Sequence, residues 1–207
     1  MDSSNREAHA GAASARFLPM KPDHLSFLAS ARWAQMLESD LLPWLRAGGD
    51  LGHDVLEIGP GPGLTTDLLR KLAPNVTLLE LDETLVASLR TRLAGTQVEV
   101  VHADASHAPF ADKRFSAVAC FHMLHHVPSP AQQDAVFSEI ARVLRPGGIF
   151  MCADPLDTEP IRAAHHEHGE TYVPLDPASL PDRLQRAGFN RIELRKMEYQ
   201  LLVRALG

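Results

Sequence analysis

Apolar residues recur along this chain in two alternating rhythms. The short runs HDVLEI, VTLLEL, QVEVVHA, FSAVACF and GGIFMCAD are nearly continuous. Between them, LTTDLLRKL, ETLVASLRTRL and AQQDAVFSEIARVL space their apolar positions as helices do. A strand buried on both faces reads as an unbroken apolar run, whereas a helix lying on a sheet shows the 3.6-residue period. The alternation therefore predicts a doubly wound α/β sheet, mostly parallel, with helices on both faces. RPGG, Arg145 to Gly148, predicts a helix stop followed by a turn: a basic residue in the last turn, then Pro and Gly.

The flanks follow other patterns. His24 to Ala47 carries helical spacing through Phe27, Leu28, Trp33, Met36, Leu37, Leu41 and Leu42, with Pro43 expected to kink or split it and Gly48-Gly49 to end it. Pro155 to Asp176 has no period and is rich in Pro, His and acids, which suggests a lid. PASLPDRLQRAGF predicts a last helix, and NRIELRKM and EYQLLVRAL an antiparallel C-terminal strand pair. An exposed terminal pair leaves room for a homodimer. Residues 1–15 are expected to be a disordered polar leader, and 16–207 a single domain. Its parts would be a helical cap at 16–50, a ligand-binding core at 51–154, a lid at 155–176, and the last helix and strand pair at 177–207.

Composition narrows the function. The 207 residues are 45% hydrophobic, enough for a substantial core, and the net charge is −6 with Lys and Arg scattered among acids. No basic face is visible, so no nucleic-acid partner is expected. No apolar stretch reaches the roughly 20 residues of a membrane span, and the N-terminus lacks the apolar centre of a signal peptide. The two cysteines, Cys120 and Cys152, each lie inside an apolar run and read as core thiols. A cytoplasmic location is expected.

The segment VLEIGPGPG carries the chemistry. Glycines 59, 61 and 63 lie between a strand and a helix, where bare backbone can approach a nucleotide-like ligand. A dinucleotide fingerprint would place its third glycine at Leu64, and Pro60 and Pro62 remove N–H groups that a pyrophosphate would use. There is no G-K-[ST], which excludes a Walker loop. Glu57, two residues before the first glycine, would repel phosphate and suit an ammonium group. Glu80, ending the next strand, can accept both hydroxyls of a ribose, and Asp104-Ala105 after the third strand can take an exocyclic amine. Ammonium, ribose and adenine without phosphate describe S-adenosylmethionine.

In order and spacing, VLEIGPGPG, LLELDETL, HADASHAPFADKRF, FHMLHHVPSP and VLRPGGIF resemble the successive motifs of class I S-adenosylmethionine-dependent methyltransferases, closest to the small-molecule branch of ubiquinone/menaquinone-type enzymes. The resemblance spans about Val55 to Asp154 and implies a Rossmann-like sheet. It implies that Glu57, Gly59, Pro60, Gly61 and Gly63 hold the methionine part, Glu80 and Leu81 the ribose, and Asp104 and Ala105 the adenine, with Phe121 and His122 near the ring or the methyl group. S-adenosylhomocysteine would be the product and a small molecule the methyl acceptor. Ser116 departs from the family's usual Asp, and Asp82 from a common Ser. HMLH stands where related enzymes acting on amide or adenine nitrogen carry N/D-P-P-Y/F. An S-adenosylmethionine-binding protein without transferase activity keeps the same motifs, and a macromolecule methyltransferase is the remaining alternative.

The histidines divide two ways. His125 or His126 can be the general base that takes the acceptor's proton, since imidazole titrates near neutrality, or the pair only packs the turn after the fourth strand; packing is the preferred reading. His165, His166 and His168 look like metal ligands, but adjacent His165 and His166 leave a helix on different sides, so no metal is expected from that segment. Trp33 or Arg32 on the first helix can roof the cofactor, because a sulfonium favours a π face.

Overall fold

The computed structural model describes residues 21–207; the leader expected at 1–15 lies outside the described residues. Three short helices come first: α1 (Pro22–Leu28), α2 (Ala31–Met36) and α3 (Leu42–Ala47). The alternating part follows as β1 (Asp54–Ile58), α4 (Leu64–Leu69), β2 (Asn75–Glu80), α5 (Glu83–Arg92), β3 (Glu99–His102), β4 (Phe115–Phe121), α6 (Pro130–Val143) and β5 (Leu144–Pro155). The chain closes with α7 (Glu159–His168), α8 (Leu180–Ala187), β6 (Asn190–Lys196) and β7 (Gln200–Leu206). All seven strands form one sheet in the order β3-β2-β1-β4-β5-β7-β6. β1 to β5 run parallel, and β7 pairs antiparallel with both β5 and β6. The doubly wound sheet with an antiparallel C-terminal pair is the expected architecture.

The continuous apolar runs have a simple cause. Successive residues of a strand point to opposite faces, and both faces are covered. Leu56, Ile58, Val118, Cys120, Phe150 and Cys152 pack into one core with Phe137 and Ile140 of α6 and Leu184 of α8. Their neighbours Val55, Ala117, Ala119, Phe121 and Met151 pack into a second with Leu45, Leu68, Leu69 and Leu89 of the helices on the other side. β1 lies between β2 and β4, so the strand order reverses there. Ligands of open α/β sheets bind beyond the carboxyl ends of the strands at such a point.

Three local features differ from the sequence expectation. The N-terminal helix breaks at Ala29 rather than at Pro43, because the Ser30 hydroxyl caps α2 by accepting the Trp33 N–H at 3.1 Å. Before Pro43 the helix widens into a π turn at Leu37–Leu41, closed by the Leu42 N–H on the Leu37 carbonyl. Proline supplies no N–H and crowds the preceding turn, and a wider turn absorbs both effects without splitting the helix. RPGG ends α6 as expected but makes no free turn. Leu144 already pairs with Phe115, residues 145–148 bulge, and Ile149 resumes opposite Ala117. The bulge is tied to the chain end, with Gly147 N–H donating to the Gly207 carbonyl and Gly207 N–H to that of Gly148, each at 2.9 Å. The third difference is α7, a helix inside the segment that shows no period in the sequence; Gly169, at φ +62°, ends it.

Candidate functional site

The glycine segment leaves β1 at Ile58 and enters α4 at Leu64, and Gly59, Gly61 and Gly63 have φ of +64°, +54° and +84°. Side chains rarely adopt this left-handed region, so the local backbone alone requires glycine. Protein atoms add to the constraint. A Cβ on Gly59 would collide with Met123, and one on Gly63 with Arg92 and Leu89. Arg92 of α5 donates to the Gly63 carbonyl at 2.6 Å and to Asp67 at 2.9 Å, fixing the start of α4.

Two carboxylates flank this loop. Glu57 is buried, and its two oxygens accept the hydroxyls of Thr65 and Thr66 in the first turn of α4. Burial raises its pKa to about 7 against the opposing pull of the two hydroxyls. Glu80 ends β2. Its Oε1 accepts the N–H groups of Leu81 and Asp82 at 2.8 and 3.0 Å, and Oε2 accepts that of Gly61 at 3.3 Å. Burial pushes its pKa up while these three N–H groups pull it down. Asp82 caps α5 by accepting from Thr84 and Leu85, which accounts for an acid at that position.

Beyond the strand ends opens a cavity of about 300 Å³. Gly59, Glu80, Leu81, Asp104, Ala105 and Ser106 line one end, and His122, Met123, His126, Val127, Gln132 and Val136 the other. Asp104 Oδ1 accepts the backbone N–H and the hydroxyl of Ser106, both at 2.8 Å, so its carboxylate is fixed at the rim. Gly59 and His122 also line a smaller cleft, enclosed by Pro60, Gly61, Thr65 and Phe121 and roofed by Leu28 and Trp33. The Trp33 ring meets His122 edge-on at 4.9 Å. His122 itself has φ +53°, a strained conformation for a non-glycine residue. Its N–H bonds to the Ala153 carbonyl at 2.7 Å, which holds it there.

Gly59, Pro60, Gly61, Glu80, Leu81, Asp104, Ala105, Phe121 and His122, all singled out by sequence, thus surround these two adjoining spaces. Glu57, Gly63 and His125 lie in neither wall. His126 is in the cavity wall, whereas His125, 2% exposed, turns away and bonds through Nδ1 to buried Asp154. Burial raises the Asp154 pKa to about 6. Sequence reasoning missed Met123, Gln132 and Val136 as walls and Asp154 as a partner. The only sign of Asp154 was an acid ending an apolar strand, which reads equally as a strand boundary.

The comparisons with known proteins agree with this geometry. Residues 56–152 match the family described as methyltransferase domain. A protein of Mycolicibacterium smegmatis named a probable S-adenosylmethionine-dependent methyltransferase is 34% identical over 67% of this chain and 52% of its own length. A ubiquinone biosynthesis O-methyltransferase of Shewanella pealeana is 33% identical over 49% of this chain and 43% of its own. The chain thus spans about half the length of the curated relatives it matches. Among solved structures, a SAM dependent methyltransferase from Aquifex aeolicus superposes with a TM-score of 0.69 at 19% identity, covering 91% of this chain and 99% of that one.

Proposed function

Because this chain belongs to the class I S-adenosylmethionine-dependent methyltransferases, we propose that it transfers the methyl group of S-adenosylmethionine to a small-molecule acceptor by in-line displacement. The observation that carries the reading is that Gly59 and His122 line both spaces. A ligand with its sugar at Glu80 and its base at Asp104 and Ala105 would pass its amino-acid tail beneath Trp33, leaving the His126–Val136 end of the cavity for an acceptor.

The residues present fit that cofactor. Glu80 is a buried carboxylate already oriented by three N–H groups, with acceptor capacity remaining for ribose hydroxyls. Gly59 is bare backbone in both walls, and no side chain can be added there without displacing Met123. Glu57 would act through the loop, holding α4 by Thr65 and Thr66 rather than touching the ligand. When bound, the cofactor supplies a methyl group activated by its positive sulfur. The protein's task is to hold nucleophile and methyl in line at about 3–3.5 Å and to exclude water. Trp33 would cover the ligand in the smaller cleft, and His126 is the one of the two candidate bases in the cavity wall.

A small acceptor is supported by the volume of the cavity, about 300 Å³ in all, and by the likeness to an enzyme of ubiquinone biosynthesis. No described helix is long and apolar enough to cross a membrane. The buried free thiols Cys120 and Cys152 support the cytoplasm as the setting.

Calorimetric titration with S-adenosylhomocysteine, followed by incubation with methyl-labelled S-adenosylmethionine and a panel of phenolic, amine and thiol acceptors, tests the proposal. Micromolar binding that Glu80→Gln weakens at least about tenfold, with label in a small product, is the expected result. Absence of binding by the folded protein, or label confined to protein or nucleic acid, would sink it.

A further inference from the structure

His125 and His126 end the turn after β4, and His165 sits on α7, forty residues later in a different layer. The fold brings them together: one ring nitrogen of each lies within 4.8 Å of the other two, and all three residues are buried. The expectation that no metal binds here rested on His165 and its sequence neighbours alone. The structure builds the cluster from separate elements.

The partners of the three Nδ1 atoms are the second observation. His125 Nδ1 bonds to the Asp154 carboxylate, His126 Nδ1 to the Thr171 carbonyl at 3.2 Å, and His165 Nδ1 to the Ile161 carbonyl at 2.9 Å. Each Nδ1 faces an acceptor and therefore carries a proton, so Nε2 is the nitrogen that each ring would offer to an ion. Metal-ligating histidines are held in this way, their second nitrogen donating to a carboxylate or a backbone carbonyl. Tyr172 stacks on His165 with centroids 4.5 Å apart and further fixes that ring.

The geometry points to a site for a divalent transition-metal ion, zinc foremost, held by His125, His126 and His165 with Asp154 orienting the first. Three imidazoles suit zinc, cobalt, nickel or copper and not magnesium or calcium, which take oxygen ligands. Three protein ligands leave a fourth position, the arrangement of a reactive rather than a structural zinc. Of the three, His126 also lines the acceptor end of the cavity, which would bring the ion close to an acceptor held there. If the proposed methyl transfer holds, the ion would favour an acceptor with an ionisable O–H: the proton would pass to water, the oxygen would form the bond to the methyl carbon, and the carbon–sulfur pair would leave with sulfur.

The test uses the full chain, freed of metal with a chelator and titrated with Zn²⁺ and Co²⁺. We expect one equivalent bound, with Co²⁺ giving the intense visible absorption of four-coordinate cobalt. His165→Asn should weaken Zn²⁺ binding by about 100-fold or more, Asp154→Asn by about 10–100-fold, and His166→Asn, exposed on the same helix, should leave it unchanged. No uptake by wild type, or equal uptake by the His165 variant, overturns the site; the wild-type titration decides even if a variant fails to fold. S-adenosylhomocysteine titrated in parallel separates the two readings. Cofactor binding without metal removes this site alone, and metal binding without cofactor removes the methyl-transfer reading and leaves the site standing.

Discussion

Glu57 is a carboxylate the fold holds at a cost, and that cost depends on pH. Its pKa rises from an ordinary 4.5 to about 7 because burial penalises the charged form. A folded-state pKa above the unfolded one means that the native protein binds the extra proton. The contribution to stability is therefore complete below pH 4.5 and is lost as pH rises through about 7. Glu57→Gln removes that dependence and keeps a partner for the threonine hydroxyls. Within the window, wild type should lose up to about 1.4 kcal/mol per pH unit relative to the variant, with no further change above it. Denaturant unfolding of both proteins at pH 5, 6, 7 and 8 measures the difference; parallel curves would show that Glu57 does not titrate there. Ser116 carries a similar lesson with the opposite sign. Its hydroxyl accepts the Asp54 N–H at 3.0 Å and donates toward the Leu51 and Asp54 carbonyls, fastening the start of β1 to β4. Ser116 thus anchors the start of β1 where the family usually has Asp.

Among the elements, α2 links stability most directly to ligand binding. It is short, Ser30 caps it, and Trp33 in its first turn roofs the cleft at His122. Ser30→Ala should cost about 1 kcal/mol of stability. It should also weaken S-adenosylhomocysteine binding several-fold, because Trp33 would be held in place for less of the time. Melting curves and calorimetry on the same preparation check both effects; a stability loss with affinity unchanged would detach α2 from the site. The strands of the core were legible because burial on both faces leaves a continuous apolar run, and FSAVACF coincides with β4, Phe115–Phe121. The glycine loop and Glu80 were legible because strand ends fix where the next residues point. α7 was not, since it buries little besides His165 and therefore shows no apolar stripe. The convergence of His165 with His125 and His126 was hidden for a related reason: periodicity reports which face of an element is buried, and says nothing of which elements meet.

The whole molecule places its chemistry at one edge of the sheet and its defences at another. β6 is one of the two edge strands, and its Arg191, Glu193, Arg195 and Lys196 are exposed beside a register shift. Charge and irregularity along an edge discourage strand pairing with another copy. At the working edge, Glu80 touches two regions at once, the cavity wall and the Gly61 amide of the neighbouring loop. A single carboxylate shared in this way makes the two halves of a ligand thermodynamically linked even when no bond joins them. Adenosine alone should then raise the affinity for free methionine, and methionine that for adenosine by the same factor. Both effects should vanish in Glu80→Gln, and competition calorimetry with the two fragments reads them directly. Independent binding of the fragments to wild type would mean that Glu80 holds the loop without sensing the sugar.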